Sequence, residues 1–331
     1  MKELLSKIAV GNVLSRAEAC AVIHSITEGQ FNEAGIAALL MGLKLRGVKT
    51  DEILGLRDGM IETGVSVDFS PYEILDIVGT GGDGKNTFNI STCSCFVVAG
   101  AGFKVAKHGN YAATSTSGAS NVIEAHGVKF TADQSLLRRS VEECGFAYLH
   151  GPLFALGMKA VAPVRWALGI ATCFNLLGPL VNPCRPQYQL LGVANLNQMR
   201  LYNSVYERLG IGYGLVTSID GYDEISLTGT FKVKTPAMEK IFTPADLGME
   251  RVAPSDLYGG ETPAEAARIF DDVLEGRSSR ARRDVVIANA AFAIKVIRPD
   301  MAVDDCMAMA RESLLSGRAL ASFRKFVTLN S

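Results

Sequence analysis

Residues 74–84 read Ile-Leu-Asp-Ile-Val-Gly-Thr-Gly-Gly-Asp-Gly, an apolar β-branched run that breaks directly into a glycine-rich turn. A short run of this kind closed by turn residues predicts a buried strand over 74–78. Glycines at the carboxyl end of such a strand mark where open α/β sheets bind their ligands. The turn Gly79-Thr-Gly-Gly-Asp-Gly84 also fits G-x-G-x-x-G, the dinucleotide fingerprint, which requires an acidic residue roughly 20 positions further on for the ribose. No Asp or Glu occurs between Asp83 and Glu124, and the interval carries Lys85, Lys104, Lys107 and His108 instead. An acid-free segment with several cations suits a polyphosphate better than a nicotinamide dinucleotide.

Outward from this strand, residues 103–106, 189–193 and 213–219 are further strand candidates, and 93–101 and 197–209 have helical spacing. That alternation predicts an α/β domain with much parallel sheet over residues 72–331. Residues 230–262, with Pro236, Pro244, Pro254 and Gly259-Gly260, read as irregular. Residues 1–66 read instead as a smaller all-α domain, with helices near 160–180 as candidates to join it. Ser15-Arg-Ala-Glu18 is a capping box, followed by Ala19, Val22, Ile23 and Ile26 at helical spacing and by Gly29 as a stop. A second helix runs over 34–45 to Gly47, and Thr50 is placed to cap a third. The second is apolar nearly all round, which calls for a partner surface beyond one small helical unit.

The chain has 331 residues, enough for two domains, with 48% hydrophobic and 20% charged side chains. Its 33 basic and 34 acidic residues leave a net charge of −1. That balance gives no global pull toward nucleic acid or an anionic membrane, so any phosphate site must be local. Met-Lys-Glu-Leu-Leu at the start offers no secretory h-region, and no apolar run has the length of a membrane span. The seven cysteines lack metal-type spacing, and Cys93 and Cys95 sit in an apolar stretch as small core residues. A reduced, cytoplasmic protein is the expectation.

Asn89-Ile-Ser-Thr92 places two hydroxyls, Ser91 and Thr92, where a helix begins. Plain N-capping is one reading; so soon after the glycine loop, convergence of amides, hydroxyls and the positive helix end on an anion is the better one. Lys107-His-Gly-Asn110 follows the second strand, and Ser115-Thr-Ser-Gly118 lies just beyond it. Small residues let the backbone approach a phosphate while Lys107 supplies a point charge, and His108 serves as a pocket wall. The strand over 213–219 runs into Asp220-Gly-Tyr-Asp-Glu224. Adjacent carboxylates there can be a solvated turn, yet Mg²⁺ is held by one or two carboxylates plus substrate phosphates, which makes Asp223 and Glu224 the metal candidates.

These segments, together with Phe174-Asn-Leu-Leu-Gly-Pro-Leu-Val-Asn-Pro183 and the late Arg282-Arg283-Asp284 and Asn289-Ala290, resemble the anthranilate phosphoribosyltransferase family in order and spacing. The resemblance implies a helical domain that mediates a homodimer, joined to a larger α/β catalytic domain. It implies transfer of the phosphoribosyl group of phosphoribosyl pyrophosphate to anthranilate, a step of tryptophan synthesis. By motif match, Gly79, Gly82, Asp83, Thr87, Asn89, Ile90, Ser91, Thr92, Lys107, His108, Gly109, Asn110, Ser115 and Ala119 would line phosphoribosyl pyrophosphate. Ser91, Asp223 and Glu224 would hold Mg²⁺, and Gly79, Asn110 and Arg165 would face anthranilate.

The chain departs from the family pattern in places. Tyr111 stands where many members carry arginine, and Thr116 where lysine is common. Ala155-Leu156 replaces a usual His-Pro pair, and Ala171 replaces an arginine. The phosphoribosyl side is intact while the acceptor side is altered. A pyrimidine-nucleoside phosphorylase resembles the same architecture but would need no acidic magnesium pair. A non-catalytic, nucleic-acid-binding relative would show a basic surface and damaged phosphoribosyl motifs.

Overall fold

The computed structural model describes residues 1–112 and 116–331. They form two compact units, Met1–Val67 with Gly151–Arg185, and Asp68–His150 with Pro186–Ser331. The smaller unit opens with helices α1 (Lys2–Ala9), α2 (Arg16–Thr27), α3 (Glu33–Arg46) and α4 (Thr50–Glu62). The capping box forms at the start of α2: Ser15 accepts from the Glu18 amide, and the Glu18 carboxylate accepts from the Ser15 amide at 2.7 Å. Thr50 does not cap α4. The cap position is Lys49, whose amide donates at 2.9 Å to the buried Glu52 carboxylate, and Leu14 N and Arg46 donate to the same group. One buried carboxylate thus satisfies the helix end and ties α3 to α4.

The larger unit begins with β1 (Ile74–Gly79), α5 (Ile90–Gly100), β2 (Lys104–Gly109), α6 (Ala119–Ala125), α7 (Gln134–Cys144) and β3 (Phe146–His150). The chain then supplies α8 (Gly151–Phe154) and α9 (Leu156–Leu168) to the helical unit. This second stretch runs over 151–185, wider than the 160–180 read from sequence. Backbone bonds from Val65 to Phe154 (2.9 Å) and from Val67 to Pro183 (3.1 Å) stitch both its ends to the first stretch. Afterwards come β4 (Tyr188–Gly192), α10 (Leu196–Leu209), β5 (Gly212–Ser218), β6 (Phe231–Lys234), β7 (Glu239–Phe242), and helices α11 (Pro263–Leu274), α12 (Arg280–Ile297), α13 (Val303–Leu315) and α14 (Arg318–Asn330).

All seven strands join one sheet in the order β3-β2-β1-β4-β5-β6-β7. The first five are parallel and the last two pairings antiparallel. Chain order reverses between β1 and β4, so a crevice opens above their carboxyl ends. Helices α5 and α12 are buried along most of their length, as the apolar run after Ser91 requires. Phe96 lies at their centre against Phe146, Phe270 and Phe323. Cys93 and Cys95 are core residues whose thiols burial pushes up, that of Cys95 to about 12. Among the described residues no helix is long and apolar enough to cross a membrane. The architecture is an α/β domain with a smaller helical domain.

Candidate active site

The glycine loop and the carboxylate pair meet at the switch point. Gly81 and Gly82 both have positive φ, 67° and 74°, a backbone conformation that glycine adopts freely and that bends the loop tightly. The Gly81 amide donates to Asp223 Oδ2 at 2.6 Å, across 142 positions of chain. Asp83 accepts from the Lys85 amide at 3.0 Å and from the Asp223 amide at 3.4 Å. The approach depends on missing side chains. A Cβ at Gly79 would lie 2.4 Å from Asp223 Oδ2, and one at Gly192 would lie 1.7 Å from the Asp223 carbonyl oxygen.

Three acids therefore crowd one place. Burial, with the charge of Asp83, raises Asp223 to about 7. Burial and the neighbouring Asp223 raise Glu224 well above the carboxylate range, although the Thr87 side chain bonds to it. Glu224 Oε1 is buried and has no hydrogen-bond partner. An orphaned buried oxygen among like charges is a costly arrangement that a cation would relieve. An all-oxygen donor set of this kind fits a hard divalent ion completed by phosphates and water.

Lys107 stands opposite as a buried cation. Its ammonium donates to the Ile77 carbonyl at 2.6 Å and to Ser91 Oγ at 3.2 Å. Ser91 and Thr92 lie in the first turn of α5, whose cap residue is Asn89 and whose end no side chain caps. Asn89 instead donates to the Ser117 carbonyl at 3.1 Å, and its Oδ1 is buried without a partner. Ile90 is in the core, its amide donating to the Phe88 carbonyl at 2.6 Å and its carbonyl accepting from Ser94 Oγ at 2.8 Å, so the residue expected to line the ligand is turned to packing instead. Lys85 lies 4.6 Å from the Tyr222 ring, packing the glycine loop onto the turn that carries Asp223.

His108 is buried, Gly109 and Ala119 are half-buried, and Asn110 is exposed at the end of β2. The Asn110 side chain accepts from the Tyr111 amide at 2.8 Å, and its carbonyl accepts from Ser120 N at 3.1 Å. Tyr111 meets His150 edge-on at 5.1 Å and bonds through its hydroxyl to Glu124, while His150 stacks on Phe130 at 4.2 Å. An aromatic wall thus occupies the place expected to carry arginine. Ser115 lies outside the described residues. Arg165 belongs to the helical unit, where its guanidinium reaches Asn175 Oδ1 at 3.5 Å and burial lowers its pKa. Ala155 is the cap residue of α9, and the Ala171 carbonyl accepts from Lys44 at 2.6 Å.

Two residues have roles here that the sequence did not assign: Gly192, and Asn289, which entered only as part of a matching segment. Gly192 clears the path of the Asp223 backbone. Asn289 of α12 clamps the next residue but one, accepting from Ile225 N at 3.1 Å and donating to Ile225 O at 2.8 Å. For Gly192 the available signal was a glycine at a strand end; for Asn289 it was a lone amide inside an apolar helix.

The family model described as "Glycosyl transferase family, helical bundle domain" matches residues 2–64, and "Glycosyl transferase family, a/b domain" matches 71–320. The anthranilate phosphoribosyltransferases of Phocaeicola vulgatus and of Bacteroides fragilis strain YCH46 are 56% and 55% identical to the chain, each covering 100% of both sequences. Among solved structures, anthranilate phosphoribosyltransferase from Thermus thermophilus superposes with a TM-score of 0.92 at 34% identity, covering 98% of each chain. The Saccharomyces cerevisiae enzyme in complex with PRPP and Mg gives 0.91 at 29%, covering 99% of this chain and 96% of that one. The helical bundle, the α/β sheet and the site at its switch point all fall within these full-length matches, and the chain belongs to the anthranilate phosphoribosyltransferase family.

Proposed function

We propose that the chain transfers the phosphoribosyl group of phosphoribosyl pyrophosphate to the amine of anthranilate, releasing pyrophosphate, in the synthesis of tryptophan. The observation that carries this is the meeting of the Gly79–Gly84 turn with Asp223 and the partnerless Glu224 oxygen at the β1/β4 crevice. The C1–O bond to pyrophosphate breaks, the C1–N bond forms, and the amine gives a proton to solvent. The sugar passes through an oxocarbenium-like state, so positioning and charge neutralisation matter more than a strong base. The Gly82 amide and the uncapped end of α5 hold phosphate oxygens, with Thr87, Asn89, Ser91 and Thr92 around them, while the Gly81 amide stays on Asp223. Lys107 balances the anionic charge from beneath. Asp223, Glu224 and Ser91 are the residues that would hold magnesium, which would supply charge neutralisation for the departing pyrophosphate.

On the acceptor side we assign Asn110 and Arg165, whose guanidinium offers a bidentate fork for the anthranilate carboxylate. We further propose a homodimer formed through the helical unit, and residence in the cytoplasm, where the free cysteines stay reduced. The activity is tested by pyrophosphate release from phosphoribosyl pyrophosphate. Release should require both anthranilate and Mg²⁺ and stop on chelation. No release with anthranilate at millimolar concentration would overturn the assignment. Ring-substituted anthranilates in the same assay report how far Ala155 and Ala171 relax acceptor choice.

A further inference from the structure

Helices α2 and α4 of the helical unit lie against each other with Gly59 at their contact, where a Cβ would come 2.7 Å from the Cys20 carbonyl. This close approach brings three unlike donors together. Cys20 and His24 are one turn apart on the same face of α2, and Glu62 is the last residue of α4. His24 Nε2 lies 2.9 Å and Cys20 Sγ 3.4 Å from the same oxygen, Glu62 Oε2. One ligand atom from each of the three falls within 4.8 Å of the others, and among the described residues no other group of His, Cys, Asp and Glu side chains is as tightly gathered.

We propose that Cys20, His24 and Glu62 form a site for a borderline-soft divalent transition metal of the zinc class, which staples α2 to α4. Zinc takes sulfur at about 2.3 Å and nitrogen or oxygen at about 2.0–2.1 Å in a tetrahedron, which spaces neighbouring donors roughly 3.5 Å apart. The separations of 2.9 and 3.4 Å fall just short of that spacing and the third lies within 4.8 Å, so small side-chain rotations suffice to close the site. His24 and Glu62 keep 38% and 54% of their side-chain surface exposed, leaving room for water as the fourth ligand. Asp58, one turn before Glu62, is already held by Arg16 at 2.5 Å and Arg57 at 3.1 Å and is not counted as a ligand. Binding replaces the thiol proton of Cys20 with the metal and releases that proton to solvent. The sulfur and nitrogen donors set this site apart from the oxygen-only acids around Asp223, so magnesium should not compete for it.

Cobalt(II) added to the metal-free full chain should give an intense near-ultraviolet thiolate-to-cobalt band that saturates at one ion per chain. Zinc should abolish the band and millimolar magnesium should not. Cys20→Ser should remove it, and His24→Ala and Glu62→Gln should each weaken binding about 10-fold or more. Absence of the band in the unaltered chain, or its survival in Cys20→Ser, overturns the proposal. A second measurement needs no variant: zinc should protect Cys20 from iodoacetamide, read by peptide mass mapping. Unchanged alkylation of Cys20 at saturating zinc would equally refute the site.

Discussion

At position 192 a side chain of any size would meet the backbone of Asp223, since an added Cβ lies 1.7 Å from its carbonyl oxygen. Strand order explains why. Asp223 follows β5, which is separated from β1 by β4, so its turn must cross the end of β4 to reach the glycine loop. Gly192→Ala should therefore displace the turn, cut kcat/KM by about 10²-fold or more, and cost about 1–3 kcal/mol of stability. Steady-state kinetics with a denaturation curve checks both, and near-normal turnover would show that the crossing is not constrained. Glu224 poses the opposite trade. Its raised pKa and partnerless oxygen mark an acid that weakens the metal-free protein. Glu224→Gln should raise metal-free stability by about 0.5–2 kcal/mol while lowering magnesium-dependent turnover, a stability-for-function exchange seen by calorimetry beside the assay. Asp223, Glu224 and Lys107 were legible in the sequence because charged residues at strand ends advertise their chemistry. The roles of Gly192 and of Asn289, the latter present only in a matching segment, were not, because their work is clearance and backbone clamping, which only the strand order creates.

The same contrast holds among the elements. Strands β1, β2, β4 and β5 announce themselves, three of them as apolar runs rich in β-branched or leucine residues and all four running into turn residues. Strand β3, Phe-Ala-Tyr-Leu-His, has no β-branched residue and follows α7 after the single Gly145, so it is absent from the strands expected from sequence. Strands β6 and β7 are four residues each, and they hide among the prolines of the stretch that reads as irregular. Tertiary pairing, not local preference, makes them strands. Where α6 meets α11, a charged contact gives a pH signature. His126, at the C-terminal cap of α6, donates from Nε2 to Asp271 at 2.9 Å and from Nδ1 to the Val122 carbonyl at 2.6 Å. Burial lowers its pKa, but the bonds and charge of Asp271 and Val122 outweigh that, and the net direction is up. A histidine raised on folding stabilises fully below its unfolded pKa of about 6.5 and loses that contribution as pH rises through the folded value. With Asp271 partly exposed, the pair is worth about 0.2–1 kcal/mol. His126→Gln should therefore lower the melting temperature more at pH about 5.5 than at pH about 8.5. An equal loss at both would show that packing alone is at stake.

Across the whole molecule, the α/β class and an N-terminal helical part were readable from the change in periodicity near residue 70. The return of residues 151–185 to the helical unit was only partly readable. Short helices and prolines in that stretch carry no label saying which core they serve, and the backbone bonds at Val65 and Val67 decide it. The helical unit also bears on assembly. Helix α3 is apolar on nearly every side, and Leu45 near its end is 81% exposed. Val10, at the end of α1, is 74% exposed, and Arg46 bonds to the Asn12 carbonyl at 2.9 Å, which ties these two helix ends together. Exposed apolar side chains gathered at one end of a unit are a surface that association would cover. In a two-fold dimer each such residue is buried twice, and each burial is worth about 1.5–3 kcal/mol. Replacing Leu45 by Glu should thus weaken dimerisation by about 10²–10⁴-fold. Sedimentation velocity should show the unaltered chain as a dimer at micromolar concentration and Leu45→Glu shifted toward monomer, with helical circular dichroism retained. A monomeric unaltered chain would refute the homodimer, and a variant that remains dimeric would move the interface away from the paired ends of α1 and α3.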